Sequence, residues 1–336
     1  MKNFLLKLPN VTYLVDKINV VLILISAVLA YIFPLELFIV SYAFIGPLHY
    51  ITEINWLHKK KYFFSNNQLV WLVIGITTSF ILFLPKIFFY IFGVEGAAGA
   101  VMSYINEWSN SMIFISLVLA VGYHLARTFW AWFLVTAVAI AGAYYLNFIE
   151  LYSLVVGVFV PTIIHVYIFT MIFMLYGSLN SKSKWGYITV AMVVMVPLLI
   201  VYLPLERGSY VFLDFFKNVY LENDLHVTPV LFSKFLGISD GTTFFFYETM
   251  ELKLMMFLAF IYTYHYLNWF SKTTTIKWHH SIDKKKMVYI LLLWLGVASI
   301  YFYDFTLGLL ISLFMGFLHV ILEFPLNVWS IKQLFK

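Results

Sequence analysis

Apolar residues come in long unbroken runs, separated by short polar or proline-bearing stretches. They do not follow the one-faced spacing of a surface helix. About 20 consecutive apolar residues are needed for a helix to cross the hydrocarbon of a bilayer. Segments of that order fall at residues 13–33, 36–57, 69–92, 109–126, 129–146, 151–176, 187–203, 244–270, 287–303 and 307–329. Pro34 ends the first, a Gly/Ala-rich and weakly amphipathic stretch precedes the fourth, and polar residues dominate 206–241. The pattern predicts an all-α, polytopic integral membrane helix bundle of about ten transmembrane helices. We expect a single transmembrane domain over residues 1–336, with an extracytoplasmic loop at 204–243 and a cytoplasmic His/Lys-rich loop at 271–286.

Composition agrees with this pattern. Of the 336 residues, 63% are hydrophobic and 11% charged, against about a half and a quarter in soluble domains. Aromatics make up 21%, more than headgroup-level belts require, so many are expected at helix contacts or around a cavity. Cysteine is absent, which excludes disulfides, thiolate metal sites and cysteine nucleophiles. The net charge of +5 does not call for nucleic acid, because topology accounts for it. With the amino terminus in the cytoplasm, 16 of the 21 basic residues fall on the inner side, leaving Lys86, Arg207, Lys217, Lys234 and Lys253 towards the outside. That asymmetry obeys the positive-inside rule and puts both termini in the cytoplasm of a multi-pass cell-membrane protein. The first run does not read as a secretion leader, since the stretch before it is long and carries an acid.

The histidines add chemistry to this frame. Of the nine, only His226 falls on the outer side, where it reads as a loop residue. His58, beside Lys59-Lys60-Lys61, reads as interfacial. His124 and His265 lie near inner helix ends, and the pair His279-His280 sits in the loop after the eighth segment. His49, His165 and His319 are deeper, roughly 12 to 16 Å inside their inner helix ends at the rise of an α-helix. The second segment reads Gly46-Pro47-Leu48-His49-Tyr50-Ile51-Thr52-Glu53, and the tenth Gly316-Phe317-Leu318-His319-Val320-Ile321-Leu322-Glu323. Each places an imidazole and a carboxylate four residues apart on one helix face. An ionised carboxylate at that depth needs a partner, and a cation also gripped by neutral imidazoles is one. The expected metal ligands are therefore His49, Glu53, His124, His165, His265, His279, His280, His319 and Glu323. With this oxygen and nitrogen donor set the cofactor is expected to be Fe, two ions, with Zn or Mn as alternatives. Arg127, three residues after His124, is a candidate contact for a substrate headgroup. Pro161, four residues before His165, is expected to kink its helix and open room for a site. The bland alternatives are hydrogen bonds between packed helices for the His/Glu pairs and a solvated basic turn for His279-His280.

The polytopic layout with inner-side histidines resembles the membrane-bound non-haem iron oxygenase, desaturase and hydroxylase class, although the HxxxH and HxxHH spacings of that class are absent. The repeated GxxHxxxE is closer to the Brp/Blh-type β-carotene oxygenase family, whose segments carry GxxHxxxD. That resemblance covers about a tenth of the chain, with Glu in place of Asp. It implies iron, a retinoid or carotenoid substrate, and His49 and His319 as ligands. Function is thus expected to be a metal-dependent, di-iron oxidoreductase of a lipid-soluble substrate, with membrane lipids and an electron donor as partners and no nucleic acid. The alternatives are a transporter of a small solute or ion and a lipid acyl- or headgroup-transferase.

Overall fold

A computed structural model describes residues 9–61, 68–205, 208, 210–272, 279 and 282–335. In chain order the helices are α1 (Pro9–Ile32), α2 (Pro34–Val40), α3 (Gly46–Lys60), α4 (Gln68–Phe92), α5 (Gly96–Glu107), α6 (Ser109–Leu125) and α7 (Phe129–Leu146). They continue with α8 (Glu150–Leu154), α9 (Thr170–Ser181), α10 (Lys184–Tyr202), α11 (Asp214–Glu222), α12 (Val227–Phe235), α13 (Thr249–Ser271), α14 (Lys284–Tyr303) and α15 (Phe305–Leu334). Two π-helical segments, Ser41–Ile45 and Val155–Phe169, join α2 to α3 and α8 to α9. There is no strand among the described residues. The protein is an all-α, multi-span membrane bundle, with nine described helical stretches long and apolar enough to cross a bilayer.

These nine coincide with nine of the ten apolar segments. The segment at 244–270 forms the long helix α13, which is less apolar because it carries Glu251, Lys253, His265 and Asn268. Protein rather than lipid surrounds it: 16 of its 23 residues are buried. By contrast, α7 leaves Phe129, Trp130, Phe133 and Leu134 exposed, as a helix facing acyl chains can. The Gly/Ala-rich stretch before the fourth segment is helical as α5, and the polar 206–241 region carries the two short helices α11 and α12.

Helix starts follow from local chemistry. Ser183 and Asp283 accept a hydrogen bond from the backbone N–H of Gly186 (3.2 Å) and Lys286 (2.9 Å), capping α10 and α14. Asp304 does the same for α15 through Leu307 N–H, at 2.9 Å, and also accepts the hydroxyl of Tyr90. The Tyr90 hydroxyl and the backbone N–H hold the Asp304 carboxyl below its ordinary range, so its contribution fades as pH falls through that lowered value. Asp304→Ala is expected to destabilise the protein by about 1–2 kcal/mol in a detergent unfolding titration. Asp304→Asn, which keeps a capping oxygen, should recover most of this loss; equal loss in both would rule out the cap as the cause.

The chain divides into two compact units, Met1–His49 with Val166–His280 and Tyr50–His165 with Ser281–Lys336. In the first, α13 is the central helix, packed by α1, α2, α10 and α12. Gly186 of α10 allows close approach there, since a Cβ would stand 2.5 Å from Ser178 Oγ. Buried Asn19 is fully engaged. Its Nδ2 donates to Val15 O and Ser271 Oγ, both at 2.9 Å, and its Oδ1 accepts from Tyr264 at 3.2 Å. In the second unit, α15 is central and packs against α4, α6 and α14.

Candidate metal centre

In the first unit, His49 (1% exposed) and His265 (9%) face one another through their Nε2 atoms at 3.0 Å. His265 is also held from behind: its Nδ1 shares a 2.7 Å hydrogen bond with the Thr170 hydroxyl at the start of α9. Tyr266 and Trp269 flank His49, with ring centroids at 5.1 and 5.6 Å. Both histidines belong to a buried group that, among the described residues, could hold a metal ion.

The second unit repeats the arrangement with different residues. His165 (1% exposed) and His319 (3%) oppose their Nε2 atoms at 2.9 Å. The Nδ1 of His165 lies 3.1 Å from Glu323 Oε2, and Tyr50 stacks on the His319 ring at 4.5 Å between centroids. Glu53 is buried within electrostatic reach of Glu323. Two carboxylates so placed repel unless a cation or a shared proton lies with them. His165 sits in the π-helical segment Val155–Phe169, which also contains Pro161. Proline offers no N–H to the backbone ladder, and π-helical turns accompany functional sites more often than plain helix does.

Each unit therefore contains two imidazoles with opposed Nε2 atoms; in the first, Thr170 is hydrogen-bonded to Nδ1 of His265, and in the second a carboxylate oxygen of Glu323 lies 3.1 Å from Nδ1 of His165. When Nδ1 carries the proton and donates it to such a partner, the lone pair of Nε2 is left for a metal, the usual arrangement when imidazole binds one. With bonds of about 2.1 Å, nitrogens 2.9–3.0 Å apart would subtend about 90° at a shared ion. Tetrahedral ligands would stand about 3.4 Å apart. The donor set and its spacing thus fit a bound ion.

The other expected site residues are placed differently. Half-buried His124 directs Nε2 at the backbone carbonyl of Pro325, 3.0 Å away, which braces α6 against α15. Arg127 is exposed beyond the end of α6. His279 is a partly buried turn residue and, among the described residues, is not a member of the buried cluster. His280 lies outside the described residues. His58 is exposed, and His226 immediately precedes α12, with its ring near Phe244. Thr170 and Tyr50 were not anticipated from the sequence. A threonine in an apolar helix carries no spacing signal, and Tyr50 is marked only by standing next to His49.

No protein-family model, no curated protein and no solved structure matches the chain. The geometry itself carries the functional reading: this is a multi-span membrane protein with a buried, histidine-based cluster able to bind metal.

Proposed function

We propose that the protein is a membrane-embedded iron enzyme, an oxygenase, desaturase or hydroxylase of a lipid-soluble substrate. One iron is held by His49 and His265 in the first unit. A second is held by His165 and His319 in the second unit, with Glu53 supplying a carboxylate. Glu323 acts behind His165 and Thr170 behind His265, each fixing the tautomer and direction of its imidazole. The observation that carries this reading is the repeated arrangement of a buried Nε2–Nε2 pair with a polar side chain beside Nδ1 of one ring.

The spacing favours iron or manganese over tetrahedral zinc, because ligands at about 90° belong to a six-coordinate ion. Iron supplies the one-electron chemistry needed to oxidise an unactivated C–H or C=C bond. The surrounding helices exclude water from such a step, and the apolar exterior gives a lipid-soluble substrate direct access from the bilayer. The GxxHxxxE repeat supports an isoprenoid-like substrate, as in the β-carotene oxygenases it resembles. The distribution of basic residues supports a site in the cytoplasmic half of the membrane, with both termini, the 271–286 loop and the electron donor on that side. His279 and His280 are further candidate ligands from that loop, and Arg127 a candidate headgroup contact.

Elemental analysis of the purified protein is expected to find about two iron ions per chain, with an absorption spectrum lacking a haem Soret band. A stable protein that contains no metal would overturn the proposal and leave transport or group transfer as the function. Zinc at the same stoichiometry would overturn the redox assignment.

A further inference from the structure

On α15, His319, Glu323 and Asn327 follow one another at intervals of four, with Ser330 three residues further on. Four residues advance about 6 Å along an α-helix and turn only slightly off one face. The stripe that carries His319 and Glu323 thus continues past them to Asn327 and Ser330. Leu322 belongs to another face, the one packed against Gly75 of α4.

Asn327 is 0% exposed, and neither its Oδ1 nor its Nδ2 has a hydrogen-bond partner among the described residues. Ser330 Oγ is buried in the same condition. Buried polar groups in proteins are almost always paired, and Asn19 of this chain is engaged at both ends of its amide. An amide with both ends open, next to an open hydroxyl, forms a receptor for a group that donates and accepts at once. The nearby Glu323 carboxylate disfavours an anion, and the apolar bundle disfavours a free cation.

We propose that Asn327 and Ser330 bind the neutral hydroxyl end of a long-chain lipid alcohol. The hydroxyl donates to Asn327 Oδ1 and accepts from its Nδ2–H, while Ser330 contributes a further hydrogen bond. The chain of the alcohol then passes Glu323, about one helical turn away, and the His165–His319 pair, about two turns away. As a substrate assignment this rests on the iron-enzyme reading; as a binding site it stands without it.

The test uses the purified protein as isolated, with 1-octadecanol as probe and octadecane and stearate for comparison. Thermal unfolding is followed, and metal is counted in the same samples. Octadecanol is expected to raise the unfolding midpoint by several degrees, stearate less, and octadecane not at all. Asn327→Leu, close in volume, should abolish the octadecanol shift while keeping the wild-type metal content. Ser330→Ala should weaken binding of radiolabelled octadecanol at least threefold, and it decides the matter if Asn327→Leu fails to fold. An octadecanol shift that survives Asn327→Leu, binding unchanged in Ser330→Ala, or an equal response to octadecane would each overturn the proposal. A wild-type protein free of metal but still stabilised by octadecanol would instead refute the iron reading and leave this site standing.

Discussion

His319→Ala is expected to remove about one of the two irons proposed per chain and to abolish the proposed turnover, while the bundle still folds. The second unit opposes Nε2 of His165 to Nε2 of His319 at 2.9 Å, so truncating either ring leaves one imidazole where an ion needs two. The Tyr50 ring that stacks on His319 loses one face of its packing, a smaller effect than loss of the ion. Glu323→Gln probes the same site more gently. It keeps the shape behind His165 Nδ1 but removes the negative charge, and metal affinity should fall by about 10- to 100-fold. Competition with a graded series of chelators reads both variants, and His226→Ala, in the polar region by α12, should match the parent. If His319→Ala keeps the full iron complement, His319 is not a ligand and the pair is an ordinary hydrogen bond between packed helices.

Phe260→Ala is expected to cost about 3–5 kcal/mol of stability, the largest structural effect foreseen. Phe260 is completely buried in α13 and lies parallel to Tyr264, with ring centroids 6.1 Å apart. Tyr264 in turn donates its hydroxyl to Asn19 of α1. Alanine would open a cavity in the helix around which the first unit is packed, and would loosen the ring that ties α13 to α1. Unfolding in graded denaturing detergent, followed by circular dichroism, gives the loss directly. Phe260→Leu should lose less than half as much. If both variants match the parent, α13 is not the packing centre of its unit.

Much of this was legible in the sequence, for physical reasons that differ from residue to residue. Nine of the spans announce themselves because lipid-facing helices have to be apolar on nearly every side. The helix α13 is harder to read by hydropathy, since protein surrounds it and tolerates Glu251, His265 and Asn268. The two short helices α11 and α12 gave no membrane signal because they are only nine residues long each. At the site, His165, His319 and Glu323 could be anticipated from their depth, where an ionisable group needs a partner. What depth could not reveal is direction. Glu323 lies against the back of His165, and His124 spends Nε2 on the Pro325 carbonyl. Thr170 behind His265 was invisible, since its role arises from contact between helices 95 residues apart in sequence.

The π-helical stretch that carries His165 has one further consequence. A backbone coiled with wider turns holds more residues than the same length of α-helix, so the azimuth at which His165 emerges depends on how many residues precede it. Losing a single residue between Val155 and Pro161 would tighten the coil and rotate the imidazole by about 100°, a quarter-circle away from both Glu323 and His319. The length of an apparently featureless apolar run is therefore itself part of what aims the imidazole.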